Sequence, residues 1–320
     1  IFRFGSLIKF IPHTITTGFT SGIALTILLG QIKDFLGITY APGVKPIETI
    51  EKIEANLEFI GSFSWQALVV GTVSLAILII YPKIEKRVPP SLVAVLAGAL
   101  MVAFLPGFEE GVYTIRDLYT IPSGLPKVDF ASMNFSFQKI SAVLPDAFTI
   151  AILAAIESLL SCVVADGMVN SRHNSNAELV GQGIGNIASV LFGGIPATGA
   201  IARTAANAKN GGKTPVAGMI HSILLLLVLL FLMPYAGLIP MPTIAAILFM
   251  VAYNMSEWKK FVRIVKTAPK SDILILIVTF VLTVIFDLVV AIAVGMVLTA
   301  MLFMKRMSDV TDVQSWKYID

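Results

Sequence analysis

"FGGIPATGAIARTAANAKNGGKT", Phe192 to Thr214, interrupts an otherwise apolar chain with two glycine pairs, a proline and an arginine. A helix over residues 198–210 would rise about 20 Å, short of the roughly 30 Å hydrocarbon core of a bilayer. Gly193, Gly194 and Pro196 stop a helix from running through, and Thr198 is placed to cap a new one. Gly211 and Gly212 stop it again. The spacing predicts a half-helix opening near the membrane midplane. The free N–H groups of Thr198, Gly199, Ala200 and Ile201 would then carry about half a positive charge. Such an end is an anion site, and Arg203, within the first two turns, adds a full charge able to hold an oxyanion bidentately.

The surroundings fit that reading. Of 320 residues, 56% are hydrophobic and 13% charged, against about 25% charged in a soluble domain. With a mean hydropathy of +0.86, the chain reads as a polytopic membrane protein. A net charge of +3 without a basic run interleaved with aromatics gives no nucleic-acid partner. Cys162, the single cysteine, excludes an internal disulfide and a thiolate metal cluster. Ile1 in place of methionine, with no signal peptide, reads as a piece of a longer protein.

Hydropathy gives spans at about 10–32, 65–82, 90–105, 141–165, 179–192, 215–237, 239–254, 271–286 and 288–304. With the half-helix these make about ten membrane elements. If the first runs outward, the basic clusters fall on one side, the cytoplasmic one: Arg3 and Lys9; Lys83, Lys86 and Arg87; Lys209 and Lys213; Lys259, Lys260, Arg263, Lys266 and Lys270; Lys305 and Arg306. The opposite loops hold Glu48, Glu51, Glu54 and Glu58, then Glu109, Glu110, Asp117 and Asp129. A weak internal repeat joins "FIPHTITTGFTSGIALTILLGQIKDFLGI" (Phe10–Ile38) to "LIPMPTIAAILFMVAYNMSEWKKFVRI" (Leu238–Ile264), each followed by two apolar spans. The charges give the two copies opposite directions, as in secondary transporters.

Glu157 lies deep inside "DAFTIAILAAIESLLSCVVAD". A carboxylate there costs several kcal/mol unless it is protonated, paired or facing a cavity. On a helix Asp146, Thr149, Glu157 and Ser161 share an arc of about 120°, a stripe suited to a polar path. Glu157 is thus a candidate proton carrier, or with Ser161 and backbone carbonyls a Na⁺ ligand. Weaker signals read structurally. "SNAE" (Ser175–Glu178) reads as a capping box, and Gly181 and Gly185 are spaced for close helix contact. Asp166, Arg172 and His173 suit local hydrogen bonding in a turn. His13 and His221 do not make a metal site, and Asp287 reads as a boundary residue. "GGKT" (211–214) lacks the preceding strand and first glycine of a phosphate loop. No nucleophile, base and orienting group occur together, so no enzyme is expected.

The stretch "AIESLLSCVVADGMVNSRHNSNAELVGQGIGNIASVLFGGIPATGAIARTAANAKNGGKTPVAG" (Ala155–Gly218), with "FIPHTITTGFTSGIAL" near the start, resembles the sulfate permease (SulP) family, relatives of the animal solute carrier 26 anion transporters. The resemblance implies an all-α, UraA-like fold of fourteen membrane elements in two inverted repeats of seven, forming a core and a gate. It implies that the chain starts at the fifth element. Residues 1–106 would be gate helices five to seven, and 107–140 an extracellular connection. Residues 141–237 would be core elements eight to eleven, 238–306 gate helices twelve to fourteen, and 307–320 a linker toward a STAS domain.

Carried over by position, Glu157 matches the coupling carboxylate of the eighth element and Ser161 the hydroxyl one turn on. Gly199, Ala200, Ile201, Ala202 and Arg203 fall at the start of the tenth, where amides and the arginine meet the anion. Some bicarbonate carriers of the family have aspartate at the Glu157 position, couple to Na⁺ and lack the arginine, so glutamate with Arg203 favours H⁺. The resemblance thus implies a secondary active anion transporter with no cofactor beyond the coupling ion. It would be a homodimer in a cell membrane, its C-terminus cytoplasmic, carrying sulfate, bicarbonate or a small dicarboxylate by an elevator-type movement. An uncoupled channel or exchanger, or a prestin-like voltage-responsive protein, is the alternative.

Overall fold

The computed structural model describes residues 13–85, 88–120, 124–125, 128, 136–209, 211–286 and 288–310. Arg3, Lys9, Lys86, Arg87, Asp129, Asp287 and residues 311–320 of the expected linker lie outside them, as does the side chain of Ala202. The described residues form helices joined by loops, with one isolated bridge between Thr114 and Pro240. In chain order the helices are α1 (His13–Leu36), α2 (Thr49–Glu58), α3 (Trp65–Ile84), α4 (Pro90–Phe104), α5 (Ile115–Leu118), α6 (Phe137–Val169) and α7 (Ser175–Leu191). There follow α8 (Ile201–Lys209), α9 (Val216–Leu227), α10 (Met233–Ala236), α11 (Met241–Ser256), α12 (Trp258–Thr267), α13 (Lys270–Ile285) and α14 (Leu288–Val310). Among the described residues four helices are long and apolar enough to cross a membrane, covering Thr14–Leu36, Trp65–Ile84, Phe137–Val169 and Val216–Ala236.

Most spans read from hydropathy return as helices within a few residues of the expected limits, and the repeat is more regular than the sequence alone suggests. A long helix, a ten-residue amphipathic helix and two apolar helices follow one another as α1–α4 and again as α11–α14. The amphipathic member is acidic in the first copy, with Glu51, Glu54 and Glu58 on α2. It is basic in the second, with Lys259, Lys260, Arg263 and Lys266 on α12. Between α9 and α10, Val228–Leu232 widen into a π turn. Pro234 follows, which has no N–H to give and whose ring would crowd a regular turn.

The chain divides into two compact units: Ile1–Phe10, Gln31–Tyr40 and Phe59–Met250; and Ile11–Gly30, Ala41–Glu58 and Val251–Asp320. In the first, α3, α4 and the start of α11 meet through small residues. Gly98 lies against Thr243, whose hydroxyl pairs with Ser74 at 2.9 Å, both groups being fully buried. Leu78, Ala94 and Ala246 fill the adjoining core, and Gly71 takes the ring of Phe35 against its backbone. With tails as apolar as leucine outside, such close approach and satisfied hydroxyls hold helices together in lipid.

The loop before α5 is stitched to the entry of α11. Ile115 N–H donates to the Ile239 carbonyl at 3.1 Å, and Met241 N–H to that of Tyr113 at 2.9 Å. At the start of α5 the Asp117 carboxylate accepts from the Thr114 hydroxyl at 2.6 Å and its amide at 2.8 Å. Those bonds, the hydroxyl's first, hold the carboxyl below its ordinary range.

The second unit repeats the small-residue principle. A methyl on Gly18 would stand 2.6 Å from the Leu276 carbonyl oxygen of α13, and one on Gly22 2.7 Å from the Thr283 side chain. Gly295 of α14 meets the Thr279 hydroxyl. Among the described residues that hydroxyl oxygen is the one buried side-chain polar atom without a hydrogen-bond partner.

Three stability measurements follow from this packing. Gly18→Val, forced against backbone, is expected to cost about 1–3 kcal/mol. Thr279→Val keeps the shape and removes an unsatisfied hydroxyl, so its thermal midpoint should be unchanged or raised; a fall would contradict the packing described. Because the folded Asp117 binds its proton less readily than the unfolded chain, its cap contributes stability above about pH 4 and loses it as pH falls. Acid unfolding of Asp117→Asn should therefore depend less steeply on pH.

Candidate functional site

The 33 residues of α6 begin under a Ser136 cap and end at Asn170, which takes the left-handed conformation at φ 55°. Asparagine tolerates that conformation, so the helix ends there without a glycine. Of the predicted stripe, Ser161 is buried, Glu157 and Thr149 are half-buried, and Asp146 is exposed. Ser158, not singled out from sequence, is buried beside Glu157.

The turn after α6 is held locally, as its residue types suggest. His173 Nδ1 stands 2.7 Å from Asp166 Oδ2, and the His173 amide donates to the same oxygen at 3.0 Å. The capping box at Ser175–Glu178 is not formed. Asn174 caps α7 instead, its side-chain oxygen accepting from the amides of Asn176 and Ala177, each at 3.1 Å. Ser175 is free to pair with His173 Nε2 at 2.9 Å, and Glu178 to accept from the Ser158 hydroxyl at 3.3 Å. Asparagine wins because one short side chain reaches two orphan amides from the position before the helix.

Glu178, Gln182, Asn186 and Ser189, spaced four, four and three apart, form one stripe along α7. Three of them tether the break that precedes α8. Gln182 Nε2 donates to the Ala154 carbonyl at 3.0 Å and the Ala197 carbonyl at 3.4 Å; Asn186 Oδ1 accepts from the Ala197 amide at 2.8 Å; Ser189 donates to the Ile195 carbonyl at 3.1 Å. Its helical spacing is the signal of this stripe in the sequence. Among the described residues nothing stands within 4 Å of where a methyl on Gly181 or Gly185 would be, so none of them makes the expected helix contact there.

The half-helix exists but starts later than the sequence suggests. Gly193, at φ +76°, turns the chain. Thr198 then gives its hydroxyl to the Ala154 carbonyl of α6 at 2.8 Å and so caps nothing. The first helical bond runs from the Thr204 amide to the Ala200 carbonyl at 2.9 Å, which makes Ala200 the cap and Ile201 the first helical residue. The amides left without an intrahelical acceptor are those of Ile201, Ala202 and Arg203. Nine residues rise about 14 Å, and Gly211, at φ +91°, follows the end.

Two contacts hold this end to α6. The Ser161 hydroxyl donates to Thr204 Oγ1 at 2.7 Å. Gly199 lies so close that a methyl on it would be 3.2 Å from Ser158 Cα and Oγ and 3.3 Å from Ser161 Cβ. The positive end of α8 thus meets α6 within one turn of Glu157. Arg203 is exposed, and among the described residues neither it nor Glu157 has an ion-pair partner. The structure therefore brings Glu157, Ser161 and Gly199–Arg203 into one corner of the first unit. Asp146 stays three turns away along α6.

Comparison with known proteins covers nearly the whole chain. The profile of the sulfate permease family matches residues 1–279. YvdB of Bacillus subtilis, a protein named for sulfate transport, is 41% identical over 320 residues, 98% of this chain and 58% of that one. The bicarbonate transporter BicA of Picosynechococcus is 34% identical over 307 residues, 96% of this chain and 53% of that one. The chain thus spans little more than half the length of these relatives. The transmembrane domain of a cyanobacterial bicarbonate transporter BicA superposes with a TM-score of 0.74 at 29% identity, covering 93% of this chain and 71% of that one. SLC26A9 superposes at 0.80 with 18% identity, covering 92% and 47%, a likeness of fold. The fold is the all-α, UraA-like one expected from sequence.

Gly199→Val should push α8 from α6 and cost about 1–3 kcal/mol. In a double-mutant cycle, Ser161→Ala and Thr204→Val should show a coupling of about 1 kcal/mol in thermal unfolding; additivity would mean the two hydroxyls do not depend on each other.

Proposed function

The chain belongs to the sulfate permease family, and on that footing we propose that it is the membrane part of a secondary active transporter of a small anion. The observation that carries the proposal is the start of α8. The amides of Ile201, Ala202 and Arg203, left without intrahelical acceptors, stand at a helix end pinned to α6, with the Arg203 side chain free of acidic partners among the described residues. A helix end of this kind attracts an oxyanion with fixed dipoles, and a guanidinium adds a full charge. Relatives named for sulfate and bicarbonate transport point to those anions as cargo, with a small dicarboxylate within the same chemistry.

Glu157 supplies the coupling. It lies one turn along α6 from Ser161, which holds the start of α8, so a proton on it neutralises a charge near the anion and binding of one favours binding of the other. H⁺ is the coupling ion favoured by glutamate together with Arg203. Na⁺, held by Glu157 and Ser161, is the second possibility for the same pair. Transport proceeds by elevator-type movement of the core, residues 141–237, against the gate helices of 1–106 and 238–306. The protein works as a homodimer in the cell membrane, with its C-terminus in the cytoplasm. Family and relatives are transporters rather than enzymes, and the apolar helices place the protein in a membrane.

Reconstituted in proteoliposomes, Glu157→Gln should lose uphill uptake driven by a pH gradient while keeping anion binding. Equal pH-driven uptake would remove Glu157 from the coupling, and a wild type that conducts only downhill would be an uncoupled channel. Arg203→Ala should weaken anion binding roughly tenfold, the loss of a charge-assisted contact; an unchanged affinity would contradict the electrostatic reading.

A further inference from the structure

The second unit holds a groove of about 460 Å³ that shares no lining residue with the site just described. Ala24 and Leu28 of α1, Tyr253 of α11, Trp258 and Phe261 of α12, and Phe280 of α13 give it apolar walls. The Phe261 and Phe280 rings meet at 5.3 Å, and Trp258 is 49% exposed. Ser21 donates to the Ser256 carbonyl at 2.7 Å, so hydroxyl and carbonyl at that edge already satisfy each other.

Against this groove runs α12, set off from α11 by Glu257 in the left-handed conformation at φ 41°. Trp258, Phe261, Val262 and Val265 occupy one side of the helix. Lys259, Arg263 and Lys266, at i, i+4 and i+7, form a stripe roughly 110° further round the helix, flanking that side, and all three are exposed. Lys260 is neutralised by Glu257 at 2.9 Å, whereas among the described residues the three stripe cations have no acidic partner. Three unpaired cations in line beside an apolar trough complement a molecule with an anionic head and a hydrocarbon tail. A short helix with a basic and an aromatic face is also the kind that lies in the membrane interface.

We infer that α12 and its groove form a binding site for an anionic phospholipid, the phosphate over Lys259, Arg263 and Lys266 and an acyl chain against Trp258 and Phe280. The site is independent of the anion path and links the second unit to the charge of the leaflet around it.

The test uses Trp258 as its own reporter, in a Trp65→Phe, Trp316→Phe background reconstituted in phosphatidylcholine vesicles. These carry equal fractions of either chain-brominated phosphatidylglycerol or chain-brominated phosphatidylcholine. The phosphatidylglycerol should quench Trp258 more strongly, and the excess should fall with salt. Lys259→Gln, Arg263→Gln and Lys266→Gln together should abolish the excess, at about fivefold in lipid preference per charge removed, while quenching by phosphatidylcholine stays as before and shows that the helix remains in place. Equal quenching by the two lipids, or an excess that survives the triple substitution, would overturn the assignment. So would an excess that inorganic phosphate competes away, since the stripe would then hold a free anion rather than a lipid.

Discussion

The hydroxyl pair of Ser161 and Thr204, 2.7 Å apart, fixes where the end of α8 meets the helix that carries Glu157. One partner belongs to a long apolar helix, the other to a helix of nine residues too short to find its own place in a membrane. Gly199 makes the pairing possible by letting backbone lie directly on Ser158 and Ser161. Once that contact is made, the orphan amides of Ile201, Ala202 and Arg203 and the carboxyl of Glu157 share one neighbourhood. In low dielectric such fixed dipoles act strongly on a charge.

The segment leading to that contact has no regular structure, and unpaired backbone is costly away from water. α7 answers the cost with Gln182, Asn186 and Ser189, and α6 with the Ala154 carbonyl. Polar side chains of α7 are thereby given to backbone, the condition under which a broken helix is tolerated in a membrane. Elsewhere the chain relies on small residues, with Gly98 against Thr243 in one unit and Gly18 and Gly22 against α13 in the other.

What was legible in the sequence was whatever depends on near neighbours. Gly193, Gly194 and Pro196 announce a break, the distance to Gly211 announces a short helix, and a glutamate among apolar residues announces a carboxyl inside a long apolar helix. The first turn of α8 was not legible. Thr198 looks like a cap until its hydroxyl is spent on Ala154, 44 residues away, and only the fold supplies that acceptor. Glu178 likewise looks like part of a capping box until Asn174 takes the amides and Ser158 takes the carboxylate. The basic residues after α11 could be counted for orientation, but their separation from Trp258 and Phe261 into two faces needed the helix to be seen.

The claim on which the rest turns is that the start of α8 is where the anion binds. Solid-state NMR of the ¹⁵N-labelled protein in bilayers, titrated with sulfate and then with bicarbonate, tests it directly. Saturable shifts of the Gly199, Ile201 and Arg203 amides by at least one of the two anions, with Gly181 and Gly185 on α7 unmoved, are the predicted result. Amides at 199–203 that stay still at anion concentrations saturating uptake would contradict the account.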